Sequence, residues 1–459
     1  MLDTLRADRL GCYGHRRNTS PNIDRIASRA IVFDQAFANS DGTILTHISL
    51  LTSRYTAPPE YGPGPTQTLA EAFSQAGYST YGIAANPTLD TSAGWGRGFD
   101  RYTDQPVDLA ILDQLKNERR FSRQIEVRSA IQTTEHVLKA LQRHRDANRD
   151  SPWFLFVNYL DPHDPYTERQ PWSDEFRESS SNLSGTLRSG EWFTLWDWVG
   201  RVLPTLSEDD IRRLGELYDA EIRYMDTHLQ RVFDYLADTG QDEDTIVLIT
   251  SDHGEVLGEH NLFTHMLGCY EVELKVPLIL SIPWLTHAQI RWPELTESVD
   301  VGPTLLTLCN IPIPQAFQGR SLIDARGRLL RIGRSYTRHT HAAVSSQQRR
   351  QYGFPPESVS DSVVLRLGDS KIYFLSDGSF LMFDIRNYPD PVAVTTFADL
   401  VPLFNRSETP MSLDQREMPE DLRKALRDIG YLEWAAPDTS ADARPLTPPS
   451  PEGAERPGP

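Results

Sequence analysis

The sequence predicts an α/β protein: a large, mostly parallel β-sheet sandwiched by helices, then a small α+β unit with an antiparallel sheet. Two observations predict it. Apolar runs of six to eight residues without polar alternation recur at 31–38, 80–85, 153–160, 245–250 and 276–282, the pattern of strands buried on both faces. Segments with helical spacing of apolar residues lie between them. Ser20-Pro21 followed by Ile23, Ile26, Ala27 and Ala30 reads as a helix start, with Ser20 as N-cap and Pro21 at the first helical position. Further helices are predicted at 69–75, 124–144 and 207–238, the last capped by Ser207 with acidic residues in its first turn. After about residue 325 a basic, Gln-containing stretch leads to a hairpin signal, 363–367 and 371–375, then Ser376-Asp377-Gly378 and 380–385. A helix at 419–429 closes on Gly430, and from 435 onward Pro, Ala, Glu and Ser dominate without apolar periodicity. The expected division is a catalytic α/β domain at 1–325, a small α+β unit at 326–434 and a disordered tail at 435–459.

Composition excludes several classes of function. A length of 459 residues allows one to three domains and an ample core. The 46 Lys and Arg against 64 Asp and Glu leave a net charge of −18, which repels a nucleic-acid backbone while leaving room for a small anionic substrate held by a metal or local cations. Cys12, Cys269 and Cys309 are few, odd in number and without metal-type spacing, so they read as small buried hydrophobes. No apolar run approaches the ~20 residues of a membrane span, and no signal peptide is visible after Met1. As written, the chain is expected in the cytoplasm. The sequons at Asn18, Asn182 and Asn405 read as chance. Oligomeric state is not legible.

In an open parallel sheet, ligands bind beyond the carboxyl ends of strands. At one such junction the run 245–250 ends in Ser251-Asp252-His253-Gly254, with His260 and His265 downstream. A carboxylate beside an imidazole suits a hard-to-borderline divalent cation, and Gly254 permits a sharp turn. An Asp252 that caps a helix among ordinary loop histidines fits the same letters. At the other, the run from Trp153 leads to Asp161-Pro162-His163-Asp164-Pro165, where flanking prolines favour a fixed imidazole or simply a rigid loop. Asn86, after the run 80–85, is a candidate substrate contact or a turn residue.

Together with N-terminal segments, these motifs resemble the sulfatase family of the alkaline-phosphatase superfamily. Leu2-Asp3-Thr4-Leu5-Arg6-Ala7-Asp8 and Gly11-Cys12-Tyr13-Gly14 resemble the family's opening. Thr19-Ser20-Pro21-Asn22-Ile23-Asp24, Ser49-Leu50-Leu51-Thr52-Ser53, Gly98-Phe99-Asp100, Asp161-Pro162-His163, Ser251-Asp252-His253-Gly254, Lys275-Val276-Pro277 and Gln318-Gly319-Arg320-Ser321-Leu322 follow in order. The resemblance covers roughly residues 2–325 and implies the alkaline-phosphatase-like fold. It also implies a metal-dependent hydrolase of sulfate or phosphate esters, with Asp3, Asp252 and His253 as ligands of one divalent metal, Ca, Mn, Zn or Mg.

Departures from the family pattern are informative. Thr43 stands where many sulfatases carry the cysteine or serine converted to formylglycine, and threonine cannot give that aldehyde, so no formylglycine is expected. The Thr43 hydroxyl at a helix N-terminus is then the implied nucleophile. Leu45 and His47 replace the family's proline and arginine, which weakens or changes the cationic clamp and leaves His47 as the implied catalytic residue there. His163 and His265 are implied to hold the ester oxygens or to protonate the leaving group, and Asn86 and His260 to bind substrate. A second metal on Asp161, His163 and His265 is a lesser expectation. In the family a buried strand precedes the first metal-binding aspartate, yet only Met1 and Leu2 precede Asp3 here, so an upstream strand is expected, and with it a leader or anchor becomes admissible. The competing readings are a phosphoethanolamine- or phosphoglycerol-type transferase and a non-catalytic sulfatase-like binding protein.

Overall fold

In the computed structural model, described residues are those outside 57–61, 105–127, 148–150, 184–201, 203–204, 260–261, 267, 325, 333, 335, 341–362, 368–369, 375–379 and 385–459. The chain divides into compact units at 1–410 and 411–459; all described residues belong to the first. The predicted helix at 419–429 and the tail at 435–459 lie outside them.

The apolar runs are strands. β1 (Ile31–Phe37), β2 (Ser79–Ala84), β3 (Arg101–Thr103), β4 (Trp153–Asn158), β5 (Val247–Thr250), β6 (Leu278–Ser281) and β7 (Ile290–Glu297) form two ladders, β3-β2-β4 and β5-β6-β1-β7. β2 runs parallel to β3 and β4, and β1 parallel to β7. β6 departs from the parallel rule, pairing antiparallel with β1 and β5. β7 is absent from the sequence reading because Pro293 and its charged residues resemble a loop; as the terminal strand of its ladder it tolerates a proline that a central strand would not. Side chains of β1 alternate between two apolar layers. Val32 joins Leu217, Ile222 and Met225 of α5 (Glu208–Asp238) on one face, whereas Ile31 and Phe33 join Leu50 and Val301 on the other. Burial on both faces is why these runs lack polar alternation.

Helices α1 (Pro21–Ala27), α2 (Thr43–Thr52), α3 (Leu69–Gln75), α4 (Ala130–Asp146), α5 and α6 (Val301–Leu308) flank the ladders. Thr68 and Glu71 cap α3 reciprocally, at 3.1 Å for Glu71 N–H to Thr68 Oγ1 and 2.7 Å for Thr68 N–H to Glu71. Ser207 caps α5 as predicted, accepting from Asp210 N–H at 3.2 Å. Ser20 does occupy the N-cap of α1 before Pro21, but its hydroxyl accepts from Gly11 N–H at 3.0 Å and donates to Asp24 Oδ1 at 3.1 Å instead of accepting from a first-turn N–H.

The predicted hairpin belongs to a four-stranded antiparallel sheet, β8 (Tyr336–Thr340), β9 (Val363–Leu367), β10 (Ser370–Phe374) and β11 (Phe380–Asp384). β8 escaped the sequence reading because it lies in the basic stretch. It braces the loop before α2: Thr340 N–H donates to Asn39 O at 2.7 Å, and His339 Nδ1 lies 2.6 Å from Ala38 O.

Candidate active site

Three chain segments converge at the carboxyl ends of the strands. Asp3 is held by its backbone, with its N–H donating to Tyr159 O at 2.9 Å. Asp252 and His253 follow β5, and Thr43 is the first residue of α2. Asp3, Asp252 and His253 each present a ligand atom, all within 4.8 Å of one another, and all three are 0% exposed.

Half of each carboxylate is committed and half is not. Asp3 Oδ2 accepts from Asn86 Nδ2 at 2.8 Å and Asn158 Nδ2 at 3.1 Å, while its Oδ1 has no hydrogen-bond partner. Asp252 Oδ1 accepts from Thr4 N–H at 3.1 Å and its neighbour's N–H at 2.9 Å, leaving Oδ2 without a hydrogen bond. Burial, and then the Asp252 carboxylate, push Asp3 above the usual carboxylate range. Two buried like charges with orphaned oxygens are costly unless a cation joins them. The His253 Nδ1–H donates to Gly254 O at 2.9 Å, so Nε2 carries the lone pair that completes the donor set. Carboxylate oxygen and imidazole nitrogen fit a hard-to-borderline divalent cation.

Thr43 Oγ1 lies 3.2 Å from His253 Nε2, with Gly42 as N-cap. The hydroxyl therefore stands beside the donor set and at the positive end of a ten-residue helix. One turn further on, His47 Nδ1–H donates to Thr43 O at 2.8 Å and lies 3.7 Å from Asp252 Oδ2. Edge-on contacts with Trp95 and Phe156 enclose its ring, and burial pushes its pKa down to about 4. His47 is thus a neutral group under the nucleophile segment rather than a cation in place of arginine.

Opposite Thr43 stand two more imidazoles, His163 and His265, with ring centroids 4.9 Å apart; His265 lies 4.6 Å from His253. Each has Nδ1 beside a carboxylate: His163 at 3.1 Å from Asp164 Oδ1, His265 at 3.1 Å from Glu255 Oε1. Burial alone would lower His163, but Asp164, with Asp3 and Glu255 behind it, pushes it up to about 10. His265 goes the other way, driven well below its ordinary range by burial and by the two neighbouring histidines. Backbone strain marks the same loops, since Thr4, Thr264 and Met266 hold φ of 51°, 76° and 61°.

Several expectations are corrected. The second-metal set of Asp161, His163 and His265 does not assemble: Asp161 turns to Arg169, 3.1 Å away, and Asp164 joins His163 and His265 instead. Asn86 Nδ2 donates to Asp3 Oδ2, an orienting contact that the sequence reading did not include. His260 lies outside the described residues. Sequence reasoning missed Asn158 and Glu255. Asn158 carried a usable signal, as the polar residue that ends β4, whereas Glu255 reads as part of a loop.

The sulfatase family model, described simply as Sulfatase, matches residues 1–311. Iduronate 2-sulfatase of Mus musculus is 24% identical, the match covering 80% of this chain and 78% of that one. An arylsulfatase of Clostridium perfringens is also 24% identical, over 94% and 95%. Among solved structures, a phosphonate monoester hydrolase from Silicibacter pomeroyi superposes with a TM-score of 0.66 at 19% identity, covering 96% of both chains. These matches show the alkaline-phosphatase-like fold, and the chain belongs to the sulfatase family of ester hydrolases.

Proposed function

We propose that the protein hydrolyses a sulfate or phosphate ester through Thr43, beside one divalent cation held by Asp3, Asp252 and His253. The observation that carries this reading is the Thr43 hydroxyl, 3.2 Å from His253 Nε2 at the head of α2. The relatives named as iduronate 2-sulfatase and arylsulfatase support a sulfate ester as first choice. When bound, the cation supplies Lewis-acid charge and lowers the pKa of an adjoining hydroxyl.

The protein's own residues do the rest. Thr43 Oγ, its proton released to solvent, forms a bond to sulfur or phosphorus as the ester S–O or P–O bond breaks, with the first turn of α2 facing the developing charge. His163, held protonated by Asp164, gives its proton to the departing alkoxide. Burial, then Asp164, push Glu255 well above the usual carboxylate range. Tyr166 O–H donates to Glu255 Oε2 at 2.5 Å, while Glu255 Oε1 lies 3.1 Å from His265 Nδ1. His265, held by Glu255, stands beside His163 to position the ester oxygens. Water then attacks sulfur or phosphorus, giving a proton to His163, and the bond to Thr43 Oγ breaks to release sulfate or phosphate, Oγ regaining its proton from solvent.

A panel of nitrophenyl sulfate, phosphate monoester and phosphate diester, assayed with the wild type and with Thr43→Ala and Thr43→Ser, tests the reading. Thr43→Ala is expected to lose roughly 10³-fold or more in kcat, with Thr43→Ser retaining turnover. Full activity in Thr43→Ala would refute the nucleophile. Absence of turnover on the whole panel by metal-loaded wild type would favour a binding protein.

A further inference from the structure

A lysine is seldom buried unless its ammonium is paired and hydrogen-bonded. Among the described residues one lysine is buried: Lys371, 3% exposed, on β10 of the antiparallel sheet. Its Nζ donates to Cys269 O at 2.7 Å and lies 2.8 Å from Glu271 Oε1. Arg366 stands directly opposite Lys371 on β9, and its Nε lies 3.3 Å from the same Glu271 oxygen. Like charges at facing positions destabilise a ladder, so this pair marks a shared acceptor outside the sheet. Against burial, Lys371 and then Arg366 hold the Glu271 carboxyl below its ordinary range, which keeps it an anion for both.

Lys371 grips a segment of unfavourable backbone. Thr264, Met266 and Cys269 take φ of 76°, 61° and 56°, three left-handed residues with side chains within six positions. Such backbone persists only where its surroundings fix it. The same segment reaches every part of the site. His265 lies between two of the strained residues. Cys269 N–H donates to Asp41 Oδ2 at 3.2 Å, and Asp41 is followed by Gly42, the N-cap of α2, and Thr43. Further on, Glu271–Leu274 forms one helical turn, where Glu273 O accepts from Gly254 N–H at 2.6 Å beside His253. Asp41, on the N–H of Cys269, and Lys371, on its C=O, are both buried.

We propose that Lys371 is a positioning residue of the active site: its ammonium clamps residues 264–273 and thereby sets His265, Thr43 and His253 relative to one another. The inference rests on the catalytic reading of that site. Neither contact of Lys371 is with a reacting atom. It acts through Cys269 on the loop before Thr43, and through Glu271 on the helical turn that holds Gly254. The small antiparallel sheet thus enters catalysis as the carrier of one cation.

The test compares the full-length wild type, Lys371→Met and Lys371→Met/Glu271→Gln, the double variant removing both charges together so that no anion is left with a missing partner. For each, kcat and KM on nitrophenyl sulfate and phosphate, corrected for folded fraction, are set beside hydrogen exchange of the peptides containing Cys269, Gly254, β9 and β10. Lys371→Met is expected to lose about 10- to 100-fold in kcat, with KM changed less than about threefold. Exchange at Cys269 and Gly254 should quicken at least about 10-fold. Because the two residues act as one unit, the double variant should lose no more than about threefold beyond Lys371→Met. If Lys371→Met does not fold, the double variant carries the same expectations. Unchanged exchange at Cys269 and Gly254, or faster exchange confined to β9 and β10 with kcat per folded molecule unchanged, would overturn the proposal, since either marks a residue that only stabilises its sheet. If wild type turns over no substrate on the panel, the catalytic reading fails instead; faster exchange at Cys269 and Gly254 in the variants would then uphold the clamp, and unchanged exchange there would overturn it.

Discussion

His163 and His265 nearly touch, yet their surroundings drive them to opposite protonation states, the division of labour expected of a proton donor beside a neutral hydrogen-bonding group. His163 must be protonated to serve the leaving group, and its proton is held below a pKa of about 10. Asp164→Asn removes the main support, so the alkaline limb of kcat should move toward neutrality. His163→Ala should cost about 10²- to 10⁴-fold on alkyl esters and far less on nitrophenyl esters, whose leaving group needs no acid. Equal losses on both ester types would contradict the assignment. The same shift has a sign in stability: a raised pKa contributes stability that is present below the ordinary value of 6.5 and lost as pH rises through about 10. The pairing was only half legible in the sequence. His163 stood out in Asp161-Pro162-His163-Asp164, but both aspartates flank it, and spacing alone does not decide which one faces the ring. The fold gives Asp161 to Arg169 and Asp164 to the imidazole.

At the scale of elements, the site is set by the residues just beyond the carboxyl end of each strand and by the head of α2. The apolar runs of β4 and β5 were readable because burial on both faces removes polar alternation, and their ends carry Asn158 and Asp252. Asn158 and Glu255 were not recognised because they act on other site residues: the end of β4 marks Asn158 but not its distant partner Asp3, and Glu255 reads as a loop residue although His265 lies only ten positions on. Gly254 is needed for close approach rather than for the sharp turn the sequence suggested: its φ is not positive, and a Cβ there would lie 1.9 Å from Val272 O. Gly254→Ala should therefore displace His253 and lower Tm, and an unchanged melting curve would contradict the packing. Within α2, His47 is neutral when buried, with its pKa pushed down to about 4 from 6.5. Because the unfolded chain binds the extra proton first, stability should rise with pH between those values, by about 3 kcal/mol. His47→Gln should flatten that slope in urea titrations; an unaltered slope would place its origin elsewhere.

For the molecule as a whole, a net charge of −18 and two uncompensated carboxylates at the centre make cation binding and folding a linked equilibrium. A divalent ion at a hundred times its Kd should add about 2.7 kcal/mol of stability, and chelation should remove it. Asp252→Asn relieves the repulsion on Asp3, so the metal-free variant should melt no lower than metal-free wild type yet gain little from added metal. A variant that gained as much as wild type would dissociate Asp252 from the cation. Overall architecture was the most legible level, since alternating apolar runs and helices specify a layered α/β sheet. The antiparallel insertion of β6 and the edge strand β7 were not, because strand direction and edge position depend on topology rather than composition. The central claim is that Thr43 itself carries the transferred group. Rapid-quench intact-mass and peptide analysis of metal-loaded enzyme turning over nitrophenyl sulfate or phosphate tests it most directly. One sulfo or phospho group on the peptide containing Thr43, formed within a turnover and absent from Thr43→Ala, is the predicted result; turnover with the group on another residue, or undiminished in Thr43→Ala, would contradict it.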